Sequence, residues 1–222
     1  LMGLVIHFLQ VPAFIVTLAG MFLARGGASV ITQDSVPIDH LFYENISDLI
    51  IRLPGGGRLS FIGLLMIGIF IIGAILAHRT RFGSYVYAIG GNEVSASLMG
   101  VPMARTTVLI YALSSTLAGL SGIVFSLYTS AGYPLAAVGV ELDAISAVVI
   151  GGTLLTGGYG FVLGTFVGVM LLGLVQTYII FDGTLSSWWT KIVIGILLFL
   201  FIVLQRLIFA ASAPGERSGK KA

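Results

Sequence analysis

Two apolar runs place the strongest constraint on the fold of this chain. Residues 61–77 and 106–127 consist almost entirely of aliphatic, aromatic and small side chains. Each run is about long enough to cross the roughly 30 Å hydrocarbon core of a bilayer as an α-helix. Further runs at 11–30 and 161–180, and one that begins near Trp188, repeat the pattern. We therefore predict an all-α, polytopic membrane protein.

The composition agrees with a membrane location. Of the 222 residues, 57% are hydrophobic and only 9% are charged, whereas ordinary soluble domains are about 25% charged. The net charge of +2 is too small to indicate nucleic-acid binding. These residues include no cysteine, which excludes disulfides and thiolate metal sites among them. The three histidines are far apart in sequence, so we expect no metal site.

We expect about six membrane segments, with one short or broken helix pair. Residues 144–155 are apolar but too short for a full span, and glycines at 157–160 interrupt the chain before the next run. A short, glycine-interrupted segment is typical of discontinuous helices beside a transport site. A plain hairpin between a short and a long span is the alternative. Gly164 and Gly168 form a GxxxG pair suited to close helix contact.

Basic residues predict which side of the membrane each loop occupies. Arg and Lys concentrate in the polar stretch 78–105 and after the last span, which predicts that both lie in the cytoplasm. The acid-rich stretch 31–60, with its loop signal at 54–57, then forms an outer loop. We predict a single transmembrane domain over residues 1–209 and a cytoplasmic tail at 210–222.

The first residues suggest a helix that is interrupted early. The chain opens inside an apolar run without the features of a signal peptide, so we expect an N-terminal truncation or a start at a residue other than Met. Pro12 suits the first turn of a helix. A new helix is therefore predicted to begin there.

A short helix is predicted inside the polar stretch 78–105. Asn92 can cap its N-terminus, Glu93 suits its first turn, and Gly100 can end it. Val94 and Leu98 would share one face. A capped helix between two spans suits the docking of a soluble partner, and a loop that is only incidentally helical is the alternative.

No catalytic centre is predicted. The stretch 152–157 has the glycines of a phosphate-binding loop, but Gly158 stands where that loop needs lysine. No GxSxG nucleophile elbow occurs. Glu141 and Asp143 are two residues apart and would point to different sides of a helix. An enzyme is therefore the less favoured interpretation.

Several stretches carry a resemblance to a known family. RTRFG at 79–83, followed by VYAIGGNEVSASLMGVP at 86–102, looks like the cytoplasmic coupling loop of ribose-type ABC sugar importer permeases. ELDAISAVVIGGTLLTGGYGFVLGT at 141–165 resembles the second signature of that family. Within the family, galactofuranose importers have stretches similar to those at 11–22, 54–60, 128–145 and 181–199. The resemblance covers nearly the whole chain.

The resemblance implies a permease subunit of a binding-protein-dependent importer in the bacterial inner membrane. A monosaccharide, galactofuranose or a similar sugar, would pass through it. The implied partners are an ABC ATP-binding subunit, a second permease subunit, homologous or identical, and a periplasmic sugar-binding protein. ATP and magnesium would bind the partner ATPase, and no cofactor is expected in this chain. The residues implied to couple to the ATPase are Gly90, Gly91, Asn92, Glu93, Val94, Ala96, Leu98 and Gly100.

Candidates for the substrate path are weaker. Glu141 and Asp143 have three possible interpretations: residues at the membrane–water interface, groups that hydrogen-bond sugar hydroxyls, or part of an outer gate. Thr153 and Gln176 are further candidates of the same kind. Lys191 is close enough to the interface to extend its ammonium toward the headgroups.

Other transport classes remain as alternatives. A permease for another pentose or hexose, a nucleoside or a branched-chain amino acid would have a related architecture, although the YAIGGN form of the loop favours a sugar. An ion-coupled secondary transporter would need ionisable residues inside its spans, where this chain has essentially none. A purely structural membrane subunit would not need the docking loop.

Overall fold

The chain divides into two compact units, Leu1–Val138 and Gly139–Ala222. The structure is a computed structural model that describes residues 1–41, 43, 46, 50–52, 58–182 and 187–212. The predicted loop signal at 54–57 and most of the predicted tail lie outside these residues.

The first unit opens with a broken helix. Helix α1 spans Met2–Phe8 and helix α2 spans Ala13–Ile31. Between them, Gln10 takes a left-handed backbone conformation with φ of 51°, and Pro12 precedes the first residue of α2. The prediction that a new helix begins at Pro12 is confirmed to within one residue.

Four further helices of this unit lie wholly within the described residues. Helix α3 covers Phe61–Arg79, α4 covers Arg81–Gly91, α5 covers Glu93–Leu98 and α6 covers Met103–Thr129. Helix α6 packs against α1 at Gly3, where an added Cβ would lie 3.0 Å from the Cα of Val108. A glycine at this position therefore allows the two backbones to approach closely.

Two small antiparallel strand pairs accompany these helices. Strand β1, Val36–Pro37, pairs with β4, Ala131–Gly132. Strand β2, Ile50–Arg52, pairs with β3, Arg58–Ser60. The strands are two or three residues long, so the helices determine the architecture.

The second unit consists of a short helix packed on two long ones. Helix α7 spans Val140–Ile150, α8 spans Val162–Asp182 and α9 spans Ser187–Ser212. Each helix contributes one side chain to a buried cluster, which contains Ala147, Leu172 and Ile194. The apolar faces of α7, α8 and α9 therefore share one core.

Five of the described helices are long and apolar enough to cross a membrane. They are α2, α3, α6, α8 and the part of α9 at Trp188–Gln205. Helix α7 has 11 residues and is therefore about 16 Å long, roughly half of a bilayer core. The prediction of an all-α membrane protein with a short segment before a full-length span is confirmed.

The GxxxG pair brings α7 and α8 into backbone contact. A Cβ on Gly151, just after α7, would lie 2.5 Å from the carbonyl oxygen of Gly164. A Cβ on Gly168 would collide with the carbonyl oxygen of Ala147. Side chains larger than hydrogen at these glycines would push the helices apart.

We expect Gly168→Ala to separate α7 from α8 and to lower the free energy of unfolding by about 1–3 kcal/mol, because the added methyl group overpacks the contact. The matched control is Gly173→Ala on the same helix, since a Cβ there meets no atom within 4 Å. Thermal unfolding of the purified full-length protein in detergent would measure both variants. Equal stability of the two variants would contradict the close contact.

Candidate functional site

Helix α5 is closed at both ends by specific hydrogen bonds. At its N-terminus the Asn92 side chain accepts a hydrogen bond from the backbone N–H of Ser95 at 2.8 Å. At its C-terminus the N–H of Val101 donates to the carbonyl of Ala96 at 3.1 Å, and the N–H of Gly100 donates to Ser97 at 3.0 Å. This pair of bonds is a Schellman motif, and the φ of +80° at Gly100 is one that glycine adopts without strain.

The exposed residues of α5 include two large apolar side chains beside the polar Glu93, Ser95 and Ser97. Ala96 is fully buried, whereas Val94 is 71% exposed and Leu98 is 85% exposed. Met99, next to Leu98, is 72% exposed. The predicted cap, stop signal and shared face are confirmed, and the result is a short helix that presents three large apolar side chains away from its own unit.

The polar stretch 78–105 is more helical than expected. Helix α4 was not predicted, and it joins α5 through Asn92, which ends the first helix and begins the second. The predicted coupling residues Gly90 and Gly91 are the last two residues of α4. All eight predicted coupling residues therefore lie on one continuous segment that runs from the end of α4 through α5 to Gly100.

A sharp elbow joins α3 to α4. The hydroxyl of Thr80 donates to the carbonyl of Leu76 at 2.6 Å and accepts from the N–H of Gly83 at 3.3 Å. Gly83 is buried, and a Cβ on it would lie 2.6 Å from that same Leu76 oxygen. The threonine followed three residues later by a small residue is the local signal that could have predicted α4.

An aromatic contact also ties the two sides of this elbow together. The rings of His78 and Tyr87 stack with centroids 6.1 Å apart and an interplanar angle of 19°. Partial burial raises the pKa of the Tyr87 phenol above its ordinary value. The phenol is therefore neutral at physiological pH, which suits a packed position.

The predicted path residues fall at three different places in the second unit. Glu141 and Asp143 lie in the first turn of α7, whereas Thr153 belongs to the turn that follows that helix. Gln176 lies on α8, one turn beyond the buried Leu172. The structure therefore does not gather the four residues into one cluster.

Asp143 has a partner that the sequence reasoning missed. Its Oδ2 lies 2.8 Å from Nζ of Lys191 on α9. The Asp143 side chain is 19% exposed and the Lys191 side chain 50%, and Oδ1 of Asp143 is buried without a hydrogen-bond partner among the described residues. Lys191 is thus held in an ion pair and does not simply extend toward the headgroups.

Gln205 is the second residue that was missed. Its Nε2 donates to the carbonyl of Val149 at 3.1 Å and, more weakly, to that of Thr153 at 3.5 Å. Carbonyls at the end of a helix lack partners within that helix. Gln205 therefore supplies a donor at the C-terminus of α7, where the chain leaves helical structure. A glutamine inside an otherwise apolar run was the available signal.

Comparison with protein families decides the class of this chain. The model of the family described as "Branched-chain amino acid transport system / permease component" matches residues 1–202. The chain belongs to this permease family.

Curated relatives of this permease cover almost all of its residues. It is 64% identical over 205 residues to the inner membrane ABC transporter permease protein YjfF of Escherichia coli, and the match covers 92% of the chain. It is 40% identical to the fructose import permease protein FruG of Bifidobacterium longum, over 95% of the chain. It is 37% identical to the ribose import permease protein RbsC of Escherichia coli, over 91% of the chain.

The matches cover only part of those relatives. The aligned region is 62% of YjfF and 63% of both FruG and RbsC. The chain therefore spans about three fifths of the length of the relatives it matches. No solved structure matches this permease.

We expect Asn92→Ala to loosen α5, because the N–H of Ser95 loses its acceptor. Loss of an N-terminal cap typically costs about 1 kcal/mol, so the backbone amides of α5 should exchange roughly fivefold faster with solvent. Hydrogen exchange with mass spectrometry of the permease would measure this rate. Ser97→Ala, an exposed position on the same helix, is the control and should leave exchange unchanged.

Gln205→Met should destabilise the end of α7, because two carbonyls lose a donor while the side-chain length is preserved. The Val149 carbonyl keeps the N–H of Gly152 at 2.9 Å, so the expected loss is that of an ordinary hydrogen bond, about 0.5–1.5 kcal/mol. The matched control is Gln176→Met on α8, where the same substitution removes an amide that bonds neither carbonyl. Thermal unfolding of the purified permease would compare the two, and an equal loss of stability would argue against the bond from Gln205.

Proposed function

We propose that this permease is the transmembrane subunit of a binding-protein-dependent ABC importer and forms part of the path for a monosaccharide. The observation that carries the proposal is the pair of large apolar side chains exposed on α5, a helix fixed at both ends. A short, rigid helix beside membrane spans can transmit the movement of a soluble motor to those spans. The similarity to an ABC transporter permease supports the same assignment.

The docking partner in this proposal is an ABC ATP-binding subunit. Its surface would cover Val94, Leu98 and Met99, which are otherwise exposed to water. Such aliphatic and Met side chains are typical of the core of a protein interface. ATP and magnesium would bind that partner subunit, and this permease would need no cofactor of its own.

The remaining partners follow from the importer class. A periplasmic sugar-binding protein would deliver the substrate to the outer face, and a second permease subunit, homologous or identical, would complete the path. The proposed location is the bacterial inner membrane. The basic residues of 78–105, together with those after the last span, support a cytoplasmic location for that stretch and for the C-terminus.

A sugar is the substrate class that the relatives favour. FruG and RbsC carry the names of fructose and ribose permeases. Galactofuranose is our specific candidate, because the stretches at 54–60, 128–145 and 181–199 resemble permeases for that sugar. A branched-chain amino acid is the second candidate, since the family description names that solute.

The direct test is uptake by the reconstituted full-length complex. The permease would first be tested for co-purification with its ATPase. ATP-dependent uptake would then be measured in proteoliposomes that contain the binding protein, with galactofuranose, ribose, fructose and leucine side by side. Saturable uptake of one sugar would support the proposal. Uptake driven by an ion gradient without ATP would favour a secondary transporter, and uptake of leucine alone would favour the second candidate.

Coupling through α5 is tested by changing the helix itself. We expect Glu93→Lys, or deletion of residues 94–98, to abolish ATP-dependent uptake while membrane insertion stays intact, because the docking helix is altered or lost. Ser84→Lys on α4 adds a positive charge outside α5 and should retain uptake. Wild-type uptake after deletion of 94–98 would overturn the coupling role of this helix.

A further inference from the structure

The contacts between α7 and α8 place the start of α7 halfway along a membrane span. Gly151 contacts Gly164, and Ala147 contacts Gly168. The two helices are therefore antiparallel, and successive contacts are four residues apart on each helix. The next step along the same register pairs Asp143 with Leu172, which lies at the middle of the 21-residue α8. The first turn of α7 therefore lies beside the middle of α8, about 15 Å from the start of that helix, and Lys191 is the fourth residue of the apolar stretch Trp188–Gln205.

An ion pair between two helices of a membrane protein indicates a functional position. Ionisable side chains inside a membrane are expensive unless they are paired, and they usually mark a path for substrate or ions. Asp143 and Lys191 come from different helices and meet at 2.8 Å. The N-terminus of α7 also favours a negative charge in its first turn. The carboxylate is thus stabilised as an anion at a position where it would otherwise be unfavourable.

The pair has hydrogen-bonding capacity that its own contact does not use. Lysine has three N–H donors, and one contact to Oδ2 leaves others available on a side chain that is 50% exposed. Oδ1 of Asp143 is an acceptor without a partner among the described residues. The pair therefore presents donors and an acceptor side by side, which is the arrangement that a sugar hydroxyl requires.

Gly139 shapes the surroundings of the ammonium group. It takes a φ of +90° at the N-cap of α7, and a Cβ there would lie 3.5 Å from Nζ of Lys191. A side chain at this position would therefore be in van der Waals contact with the ammonium group, and with glycine the backbone itself lies close to it.

The charges of the pair select the kind of solute. A carboxylate and an ammonium in contact have no net charge, so the pair offers hydrogen bonds without attracting an ion. Such a pair suits a neutral polyhydroxylated molecule better than a zwitterionic amino acid, whose own charges would compete for both partners.

We propose that Asp143 and Lys191 together form a sugar-hydroxyl subsite beside the middle of α8. The proposal rests on the sugar-import function above and adds Lys191 and the position beside α8 to it. In this subsite Lys191 donates to a sugar hydroxyl oxygen, and Oδ1 of Asp143 accepts from a hydroxyl.

The test separates a sugar contact from a purely structural ion pair. Asp143→Asn and Lys191→Met each leave one charge unpaired in the membrane. We therefore expect either single variant to reach a lower level of folded permease in the membrane. The double variant removes both charges and should therefore insert and co-purify with its ATPase. ATP-dependent uptake by this double variant should show a KM raised about tenfold or more, because charge-assisted hydrogen bonds to the sugar are lost.

Thr116→Val is the matched control for uptake. Its hydroxyl bonds only to the carbonyl of Ala112 on its own helix, and the variant should keep the wild-type KM. A double variant that assembles and transports with the wild-type KM would show a structural pair only, and would overturn the subsite.

A second measurement does not depend on transport. The chain contains no cysteine. Val140→Cys, at an exposed position in the first turn of α7, keeps both charges of the pair and can be labelled with a water-soluble thiol reagent in a cysteine-free full-length permease. Saturating galactofuranose, ribose or fructose should slow this labelling and leave Thr116→Cys unaffected. Protection by a sugar in a permease without ATP-driven uptake would support the subsite while overturning the importer. Absence of protection by all three sugars would overturn the subsite even if uptake is normal.

Discussion

The need to satisfy every backbone polar group inside a membrane governs the second unit. Helix α7 ends after 11 residues, and its free carbonyls would be unfavourable at membrane depth without partners. The turn supplies some of these partners, since the N–H of Thr153 donates to Val148 and that of Gly152 donates to Val149. Gln205 supplies a further donor from α9. A broken helix is stable here because protein groups take the place of water.

Glycine allows the close packing that a short helix needs. An 11-residue helix buries little surface, so it needs very close neighbours to be held in place. The backbone contacts at Gly151, Gly164 and Gly168 provide that closeness on one side. On the other side α9 holds α7 at both ends, through Lys191 at its start and Gln205 at its end. Hydrogen bonds at both ends also keep the six-residue α5 ordered, although a helix so short is not stable by itself.

The sequence predicted what depends on local patterns and missed what depends on distant ones. Apolar runs defined the spans, Pro12 marked the start of α2, and Asn92 and Gly100 marked both ends of α5. These signals lie within a few residues of the structure that they specify. The bonds from Lys191 to Asp143 and from Gln205 to Val149 join positions 48 and 56 residues apart, so no local pattern contains them. Helix α4 was missed because its polar residues were interpreted as loop, although Thr80 carried a capping signal.

The energetics of the ion pair explain why it points to function. Replacing a buried ion pair by well-packed apolar residues is often neutral or stabilising, because both charges must be removed from water to form the pair. Helices α7 and α9 already share an apolar core at Ala147 and Ile194, so an apolar contact at 143 and 191 would hold them equally well. Packing alone therefore gives no reason for Asp143 and Lys191 at these positions. A hydroxylated solute that must leave water in order to cross the bilayer does give one, because these groups replace the hydrogen bonds that it loses.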